Sequence, residues 1–355
     1  MQQYDPWAID PVRQPAQAKS ETDARPKPPA SLEEALLSLD HKSAPVFAVL
    51  DGAQFDNLPQ ELLLGDFVSR PLYLDRGENN PDQIITAPHM VWLDERPEKV
   101  TGRAPKDTIP ALLALIVNRP AAVFWQCPDG ADALYKHLRG INMVMIPKEF
   151  APPADFARLD DEQLGQSPSH EAVLFRHADA NVIAQTLPAM DAAEMARFYG
   201  PATHLFFASD PDWANGRDWL QADRSDGLPK PQSGLLTLSA ATMEGIKHAR
   251  ERRSLQRTAG FLRRTLPRDF QGLSDHQLEQ IARNSRKSGK ELGVSSAGAH
   301  QRWAYLMAIT EGRVAEERRV RDFIRSGDDK PDRQVKFAML DTLERMKAVA
   351  AEIDP

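Results

Sequence analysis

The sequence has a single cysteine and no long hydrophobic run. Cys127, alone in 355 residues, excludes an intrachain disulfide framework and a zinc site built from several cysteines. The longest strongly apolar stretch covers only residues 111–117 and is far shorter than the roughly 18 residues that a membrane helix needs. The N-terminus shows no basic region followed by an apolar stretch, so no secretory signal is visible. We therefore expect a soluble, cytoplasmic protein that does not enter a membrane.

The short motifs of common enzyme classes are also missing. The chain contains no G-x-S-x-G nucleophile elbow, no G-x-x-x-x-G-K phosphate loop, no G-x-G-x-x-G dinucleotide loop and no H-E-x-x-H metal site. We therefore expect no metal, no organic cofactor and no enzyme of a familiar motif class.

Charge is divided unevenly along the chain. The whole sequence carries 44 Lys and Arg residues against 51 Asp and Glu residues, a net charge of −7. Residues 241–355 contain 23 basic and 17 acidic residues, which leaves 21 basic and 34 acidic residues for positions 1–240. This asymmetry is typical of two domains with complementary electrostatic fields, one acidic and one basic. It is also typical of a protein whose basic part binds nucleic acid or an acidic partner.

Hydrophobic patterning predicts an α/β (α+β) layered N-terminal domain with a central sheet, followed by an all-helical C-terminal domain. Residues 1–30 are rich in proline and predict a disordered tail. Within residues 31–210, helical runs alternate with strand candidates at 45–50, 71–74, 89–93, 121–126, 141–146, 172–176 and 203–208. The segment 211–235 is dense in Asp, Gly, Pro and Ser and predicts a linker. Residues 236–355 form the predicted helical domain.

Helix starts are predicted from capping boxes, in which a short polar residue precedes Glu or Gln by three positions. The sequence has this spacing at Ser31 with Glu34, at Asp191 with Glu194, and at Ser274 with Gln277.

The densest polar group follows a predicted strand, at residues 175–182. Arg176, His177 and Asp179 could form an acid–base or metal-binding site, because ligand groups gather where the strands of α/β sheets end. A structural interpretation is favoured, in which Asp179 caps the next helix and Arg176 pairs with a nearby carboxylate. Asp51 follows another strand, and an Asp-Gly turn is favoured there over an active-site carboxylate.

A basic stretch at residues 247–270 is the strongest indication of nucleic-acid binding. Its arginines, which include Arg252, Arg253 and Arg257, could contact phosphates. Leucine and alanine recur there at helical spacing, so an amphipathic helix with a basic solvated face is the simpler interpretation. The same arginines could meet an acidic protein partner.

Large apolar side chains cluster further along the chain, at Trp303, Tyr305, Leu306 and Met307. Such side chains anchor protein interfaces. Ordinary helix packing is the alternative, and it is slightly favoured.

The ordered set of strands resembles the bacterial family named domain of unknown function 4123 (DUF4123). The pieces that carry the resemblance are VFAVLDGA (46–53), PLYL (71–74), APHMVWL (87–93), VFWQ with its helix to HLRG, VLFRHADANVI (173–183) and FYGPATHLFF (198–207). They cover about residues 45–210. Where the family commonly has an F-R-x-x-D-P-R-V-like string, this chain departs at two positions, Ala180 and Asn181.

The resemblance implies a cytoplasmic, non-enzymatic adaptor chaperone of the type VI secretion system. Such proteins bind a toxic effector and load it onto a VgrG-type spike protein, so the implied partners are these two proteins and neither nucleic acid nor membrane. The helical C-terminal part is the candidate for effector specificity. The predicted partner-binding residues are Arg176, Asp179, Arg252, Arg253, Arg257, Trp303 and Tyr305.

Two alternatives stay open at the level of sequence. One is a nucleic-acid-binding protein that uses residues 247–325. The other is an enzyme centred on Arg176, His177 and Asp179.

Overall fold

The computed structural model describes residues 29–73, 81–151, 169–214, 216–270, 272–326 and 329–353. The chain divides into two units, Met1–Lys247 and His248–Pro355. The predicted tail at 1–30 lies outside the described residues, apart from its last two positions.

The first unit contains a six-stranded antiparallel sheet. In spatial order its strands are β2 (Ser69–Pro71), β3 (His89–Trp92), β1 (Val46–Leu50), β4 (Ala122–Gln126), β7 (His204–Phe207) and β8 (Leu220–Asp223). A second sheet has three strands, in the order β6 (His170–Leu174), β5 (Met143–Pro147) and β9 (Leu236–Thr237). Strand β5 is antiparallel to β6 and parallel to β9.

Both faces of the large sheet are buried, because successive side chains of a strand point to opposite faces. On one face, Phe47 and Trp125 belong to a core that also takes side chains from α5 (Gly130–Gly140), α6 (Ala180–Thr186) and α7 (Ala192–Tyr199). On the other face, Ala48 and Phe124 pack with α1 (Leu32–Leu37), α2 (Leu58–Leu64) and α4 (Pro105–Leu115). Helix α3 (Pro81–Thr86) precedes β3 in the chain. The mixed α/β prediction for the N-terminal region is confirmed, with an antiparallel sheet.

The segment 211–235 is not a linker, which corrects the prediction. Strand β8 lies inside it and pairs with β7, burying Leu220 and Ala222 in the core. Strand β9 follows, in a region where only helices were expected. The prediction was wrong because β8 has only four residues and the Asp, Gly and Pro residues around it are typical of a loop. The two units meet in sequence within α8 (Ala240–Thr265), between Lys247 and His248.

The second unit is helical over its described residues. After the last part of α8 come α9 (Asp275–Glu291), α10 (Ala297–Ile309), α11 (Arg318–Ser326) and α12 (Pro331–Ile353). The core takes a buried side chain from each helix in turn: Leu262, Leu278, Trp303, Ile324 and Val335. None of the helices in the described part of the chain has both the length and the apolar character that crossing a bilayer requires.

Two of the three predicted capping boxes are complete. The side chains of Asp191 and Ser274 accept backbone hydrogen bonds at the starts of α7 and α9, and Glu194 and Gln277 return the contact. At α1, Ser31 accepts from the backbone N–H of Glu34, but the Glu34 carboxylate accepts from Ala30 and not from Ser31. Helix α1 therefore starts where predicted, with half of the box.

Candidate functional site

One end of the six-stranded sheet gathers charged side chains from distant parts of the sequence. Strand β1 ends and β4 begins there, and the backbone N–H of Asp51 donates to the Ala121 carbonyl at 2.9 Å. The start of α6 joins them, since the N–H of Ala180 donates to the Pro120 carbonyl at 3.0 Å. This arrangement brings the loop after β6 against the end of β1.

Arg176 holds two buried carboxylates at this end of the sheet. Its Nη2 atom forms an ion pair with Oδ2 of Asp51 and lies 3.4 Å from Oδ2 of Asp179. The side chains of Asp51 and Asp179 are 5% and 8% exposed, whereas that of Arg176 is 38% exposed. The guanidinium is therefore the group through which this cluster meets solvent.

Each aspartate also holds backbone in place. Asp51 Oδ1 accepts from the N–H of Ala53, at a short 3₁₀ turn over Gly52–Gln54. A side chain at Gly52 would place its Cβ 2.5 Å from the Ala87 carbonyl oxygen, so only glycine fits that turn. Asp179 Oδ1 accepts from the N–H groups of Asn181 and Val182 at the start of α6. The predicted helix cap, Asp-Gly turn and arginine pairing are all confirmed.

The same contacts correct the prediction that Asp179 binds a partner. Its carboxylate is buried and is engaged by the α6 backbone and by Arg176. Burial raises the pKa of Asp179, and the guanidinium of Arg176 works against that shift. Asp179 therefore positions Arg176, and only Arg176 of this pair is exposed enough to contact another molecule.

Tyr73 extends the cluster. Burial raises the pKa of its hydroxyl, and the charge of Asp51 acts in the same direction while Arg176 opposes it. The phenol is therefore protonated at neutral pH. The sequence prediction missed Tyr73 because it follows the edge strand β2, and only the sheet order places it at the same end as Asp51.

His177 does not join this cluster. Its side chain lies in the core, with Nε2 at 2.6 Å from Oδ1 of Asn142 and the ring edge-on to Trp125. Burial lowers the pKa of His177 to about 3, and the nearby His137 acts in the same direction. The imidazole is therefore neutral at pH 7 and inaccessible, so the geometry does not supply the acid–base residue that the enzyme alternative needs.

A cleft of about 410 Å³ opens at the same end of the sheet, outside the Arg176 cluster. Its lining combines apolar residues after α4 with polar residues after β7, including Ile116, Pro120, Ser209 and Asp210. Asp210 is tied to α6, because its carboxylate accepts from the side-chain amide of Asn181.

The predicted basic helix is present as α8. Arg252 and Arg257 are exposed, and Arg253 is half-buried and donates to Oε1 of Gln256 at 2.8 Å. Leu262 and Leu266 of the same helix are buried in the core of the second unit. Helix α8 is thus amphipathic as expected, with arginines at its surface.

Trp303 is a core residue, which corrects its prediction as a partner-binding anchor. The side chain is fully buried, and its indole N–H donates to Oγ of Ser288 on α9 at 2.8 Å. Tyr305 is half-buried and packs against the same core. The favoured alternative, ordinary helix packing, therefore describes Trp303.

A second cleft, of about 390 Å³, lies in the second unit and was not predicted. It is lined by Ser296, Arg302, Asp329, Lys330, Asp332, Arg333 and Lys336. The only trace in the sequence is the three-residue spacing of Lys330, Arg333 and Lys336, which sets the three cations along one side of a helix start. We name these seven residues the cationic cleft.

No group of three His, Cys, Asp or Glu side chains in the described part of the chain is placed to hold a metal ion. Cys127 is buried, and burial raises the pKa of its thiol. Comparisons with protein-family models, with curated proteins and with solved structures found no match to this chain.

Proposed function

We propose that this protein is a non-enzymatic adaptor chaperone that works in the cytoplasm. It binds a cognate effector of the type VI secretion system and loads it onto a VgrG-type spike protein. This proposal is supported mainly by the basic surface of α8, where Arg252 and Arg257 are exposed while Leu262 and Leu266 of the same helix are buried in a core. The resemblance of the ordered strand set to the DUF4123 family gives this surface its proposed partner.

The chemistry of α8 suits a protein partner that carries carboxylates. A guanidinium presents a planar fork of N–H donors that pairs with both oxygens of a carboxylate. Charges at the rim of an interface also speed association by steering the partner. We assign effector binding to the second unit for this reason.

The polar cluster of the first unit supports a binding role more than a chemical one. The carboxylates of Asp51 and Asp179 already accept hydrogen bonds from backbone N–H groups and pair with Arg176. The His177 side chain lies in the core. What the cluster offers to another molecule is one positioned guanidinium, on Arg176. We include Arg176 among the candidate contacts to the spike protein.

Capture of both partners tests the proposal. The full-length protein with an affinity tag is purified from cells of the source bacterium, and co-purifying proteins are identified by mass spectrometry. We expect a spike protein and a toxin in a complex that survives gel filtration. We also expect secretion of that toxin to stop when the gene is deleted and to return with the wild-type gene. Recovery of neither protein, or secretion that is unchanged by the deletion, overturns the proposal.

A nucleic-acid-binding function is the second candidate, because exposed arginines on α8 also suit phosphates. Phosphate binding gives an affinity that falls steeply as salt rises, since each neutralised phosphate releases counterions. Titration of the full-length chain with labelled duplex and single-stranded DNA at several salt concentrations separates the two candidates. No binding at low salt eliminates this second function.

A further inference from the structure

The cationic cleft carries an excess of positive charge that the described residues do not neutralise. Arg302 comes from α10, while Lys330, Arg333 and Lys336 lie at the start of α12. Among the residues that the structure describes, Arg302, Lys330 and Lys336 form no side-chain ion pair. Three cations therefore line one small opening, and neither Asp329 nor Asp332 forms an ion pair with them among the described residues.

Both aspartates of the cationic cleft have other tasks. Asp332 accepts from the backbone N–H groups of Ser295 and Ser296, at 2.7 and 2.9 Å, and from the Ser295 hydroxyl at 3.0 Å. Burial alone would raise the pKa of Asp332, but these hydrogen bonds outweigh it and hold the pKa below its usual range. Asp329 pairs with Arg333 at 2.9 Å. The cleft is therefore lined by four cations and two carboxylates, an excess of two positive charges, and Arg302, Lys330 and Lys336 are the cations left to pair with a ligand.

Apolar side chains stand next to these cations on α12. Phe337 and Leu340 are 46% and 45% exposed. Phe337 follows Arg333 by four residues, and Leu340 follows Lys336 by four, so each apolar side chain is one helical turn from a cation on the same face. Exposed apolar groups beside a polar, charged rim are typical of protein interfaces.

We propose that the cationic cleft together with Phe337 and Leu340 binds an acidic, amphipathic segment of a protein partner. Carboxylates of the segment enter the cleft and pair with Arg302, Lys330 and Lys336. Its apolar side chains cover Phe337 and Leu340, which removes their surface from water. The exposed Phe337 and Leu340 beside the cleft favour a protein segment over a nucleic-acid backbone, whose phosphates would leave these apolar side chains uncovered. That the partner is the secreted effector rests on the proposed function, but the binding chemistry does not.

Binding of a labelled peptide to the full-length chain tests this surface. The probe is a fluorescent peptide of about 15 residues, four helical turns, with Glu on one face and Leu and Phe on the other. The matched control peptide has the same sequence with every Glu replaced by Gln. A single-stranded DNA with about 15 nucleotides, as many as the peptide has residues, tests nucleic acid as the alternative ligand. Fluorescence anisotropy gives the dissociation constants, and circular dichroism shows that each variant is folded.

We expect the acidic peptide to bind and the Gln peptide to bind at least tenfold more weakly. Lys330→Glu with Lys336→Glu should weaken the acidic peptide about tenfold or more, since charge pairs at an interface are worth a few kcal/mol. Phe337→Ser with Leu340→Ser should also weaken it. Arg283→Glu with Lys287→Glu makes the same charge change on α9, at exposed positions outside the cleft, and should change affinity less than twofold.

Three results overturn the inference. One is equal weakening by the α9 control, which would show general attraction to a basic unit. Another is equal affinity for the Glu and Gln peptides. The third is a preference for DNA that the cleft variants abolish. Effector capture is read separately: a captured effector whose affinity is unchanged by the cleft variants shows that the effector is not the partner of the cleft, and peptide binding without any captured effector defeats the proposed function alone.

Discussion

Glu194 and Thr242 lie 48 residues apart and share a 2.6 Å hydrogen bond that ties α7 to the start of α8. Oε2 of Glu194 accepts from the Thr242 hydroxyl and from the backbone N–H of Asp191, while Oε1 accepts from the N–H of Ser239 at 2.6 Å. One buried carboxylate thus completes the capping box of α7 and also holds the first turn of α8. The beginning of α8 therefore belongs to the first unit.

Replacing Glu194 should destabilise the first unit. Glu194→Ala leaves the backbone N–H groups of Asp191 and Ser239 without their acceptor, while the Thr242 hydroxyl keeps only the Ala189 carbonyl, and this should cost about 2 to 4 kcal/mol of unfolding free energy. Urea denaturation followed by circular dichroism measures the change. Glu98→Ala, at an exposed glutamate, should change stability by less than about 0.5 kcal/mol. Equal effects of the two variants would refute this role.

Removing the charge of Arg176 should destabilise the protein most near neutral pH. Arg176→Met leaves Asp51 and Asp179 buried without their cation, at an expected cost of about 3 kcal/mol at pH 7. Burial already raises the pKa of Asp179, and loss of the guanidinium raises it further, so this carboxyl becomes neutral as the pH falls. A carboxyl whose pKa is higher in the folded chain gains stability as pH falls through that value. The deficit of the variant should therefore shrink toward pH 5.

Denaturation midpoints of wild type and Arg176→Met at pH 7, 6 and 5 check this. Arg217→Met, at an exposed arginine after β7, is the control. A deficit that is constant over this range would contradict the role of uncompensated carboxylates.

Two histidines with lowered pKa values, the buried His177 and the half-buried His137, should make the wild-type protein less stable in acid. Burial lowers the pKa of His177 to about 3 and that of His137 to about 4. The unfolded chain takes up these protons near pH 6.5, whereas the folded chain resists them. The stabilising difference is fully present above pH 6.5 and is lost as pH falls toward 4, at roughly 1.4 kcal/mol per pH unit for each histidine.

His177→Gln should make this slope shallower, because one of the two groups no longer titrates. Unfolding free energies of the variant and wild type at pH 7, 6 and 5 give the slopes. His276→Gln, at an exposed histidine on α9, should leave the slope unchanged. A slope identical in the His177 variant and in wild type would show that His177 takes up its proton equally in the folded and unfolded chain, which contradicts the lowered pKa.

Charge reversal on α8 should weaken the effector complex. Changing Arg252, Arg253 and Arg257 to Glu replaces a basic surface with an acidic one and should lower affinity about tenfold or more, with a smaller effect at high salt. Isothermal titration calorimetry with the captured effector measures it. Arg283→Glu with Lys287→Glu again serves as the control. Unchanged affinity in the triple variant would show that the basic face of α8 contacts only solvent and is not an interface.

Local patterns predicted the elements whose signals are local. Strands β1, β3, β4 and β7 lie within a residue or two of their predicted limits, because their apolar runs are short and bounded by turn residues. Asp179 was predicted as a helix cap from its place before α6, and it is one. These features depend on neighbours within a few positions in the chain.

Features that depend on distant residues were not predicted. Arg176 was expected to meet a carboxylate, but Asp51 lies 125 residues away and only the sheet brings them together. Strand β8 pairs with the edge of β7, and its alternation of buried Leu220 and Ala222 with exposed Gln221 and Asp223 is too short, at four residues, to indicate a strand by itself. Trp303 illustrates the same limit, since an aromatic residue on a helix serves a core or an interface according to the helices packed beside it.

The two edge strands of the large sheet, β2 and β8, affect whether the protein aggregates at high concentration. β2 has three residues, of which Arg70 is exposed and Pro71 has no N–H to donate. β8 has four residues and turns Gln221 and Asp223 outward. Short edge strands that carry charged residues and proline offer a second molecule few free backbone N–H and C=O groups to pair with. The large sheet is thereby protected from joining other copies edge to edge, so crowding should not drive aggregation through this sheet.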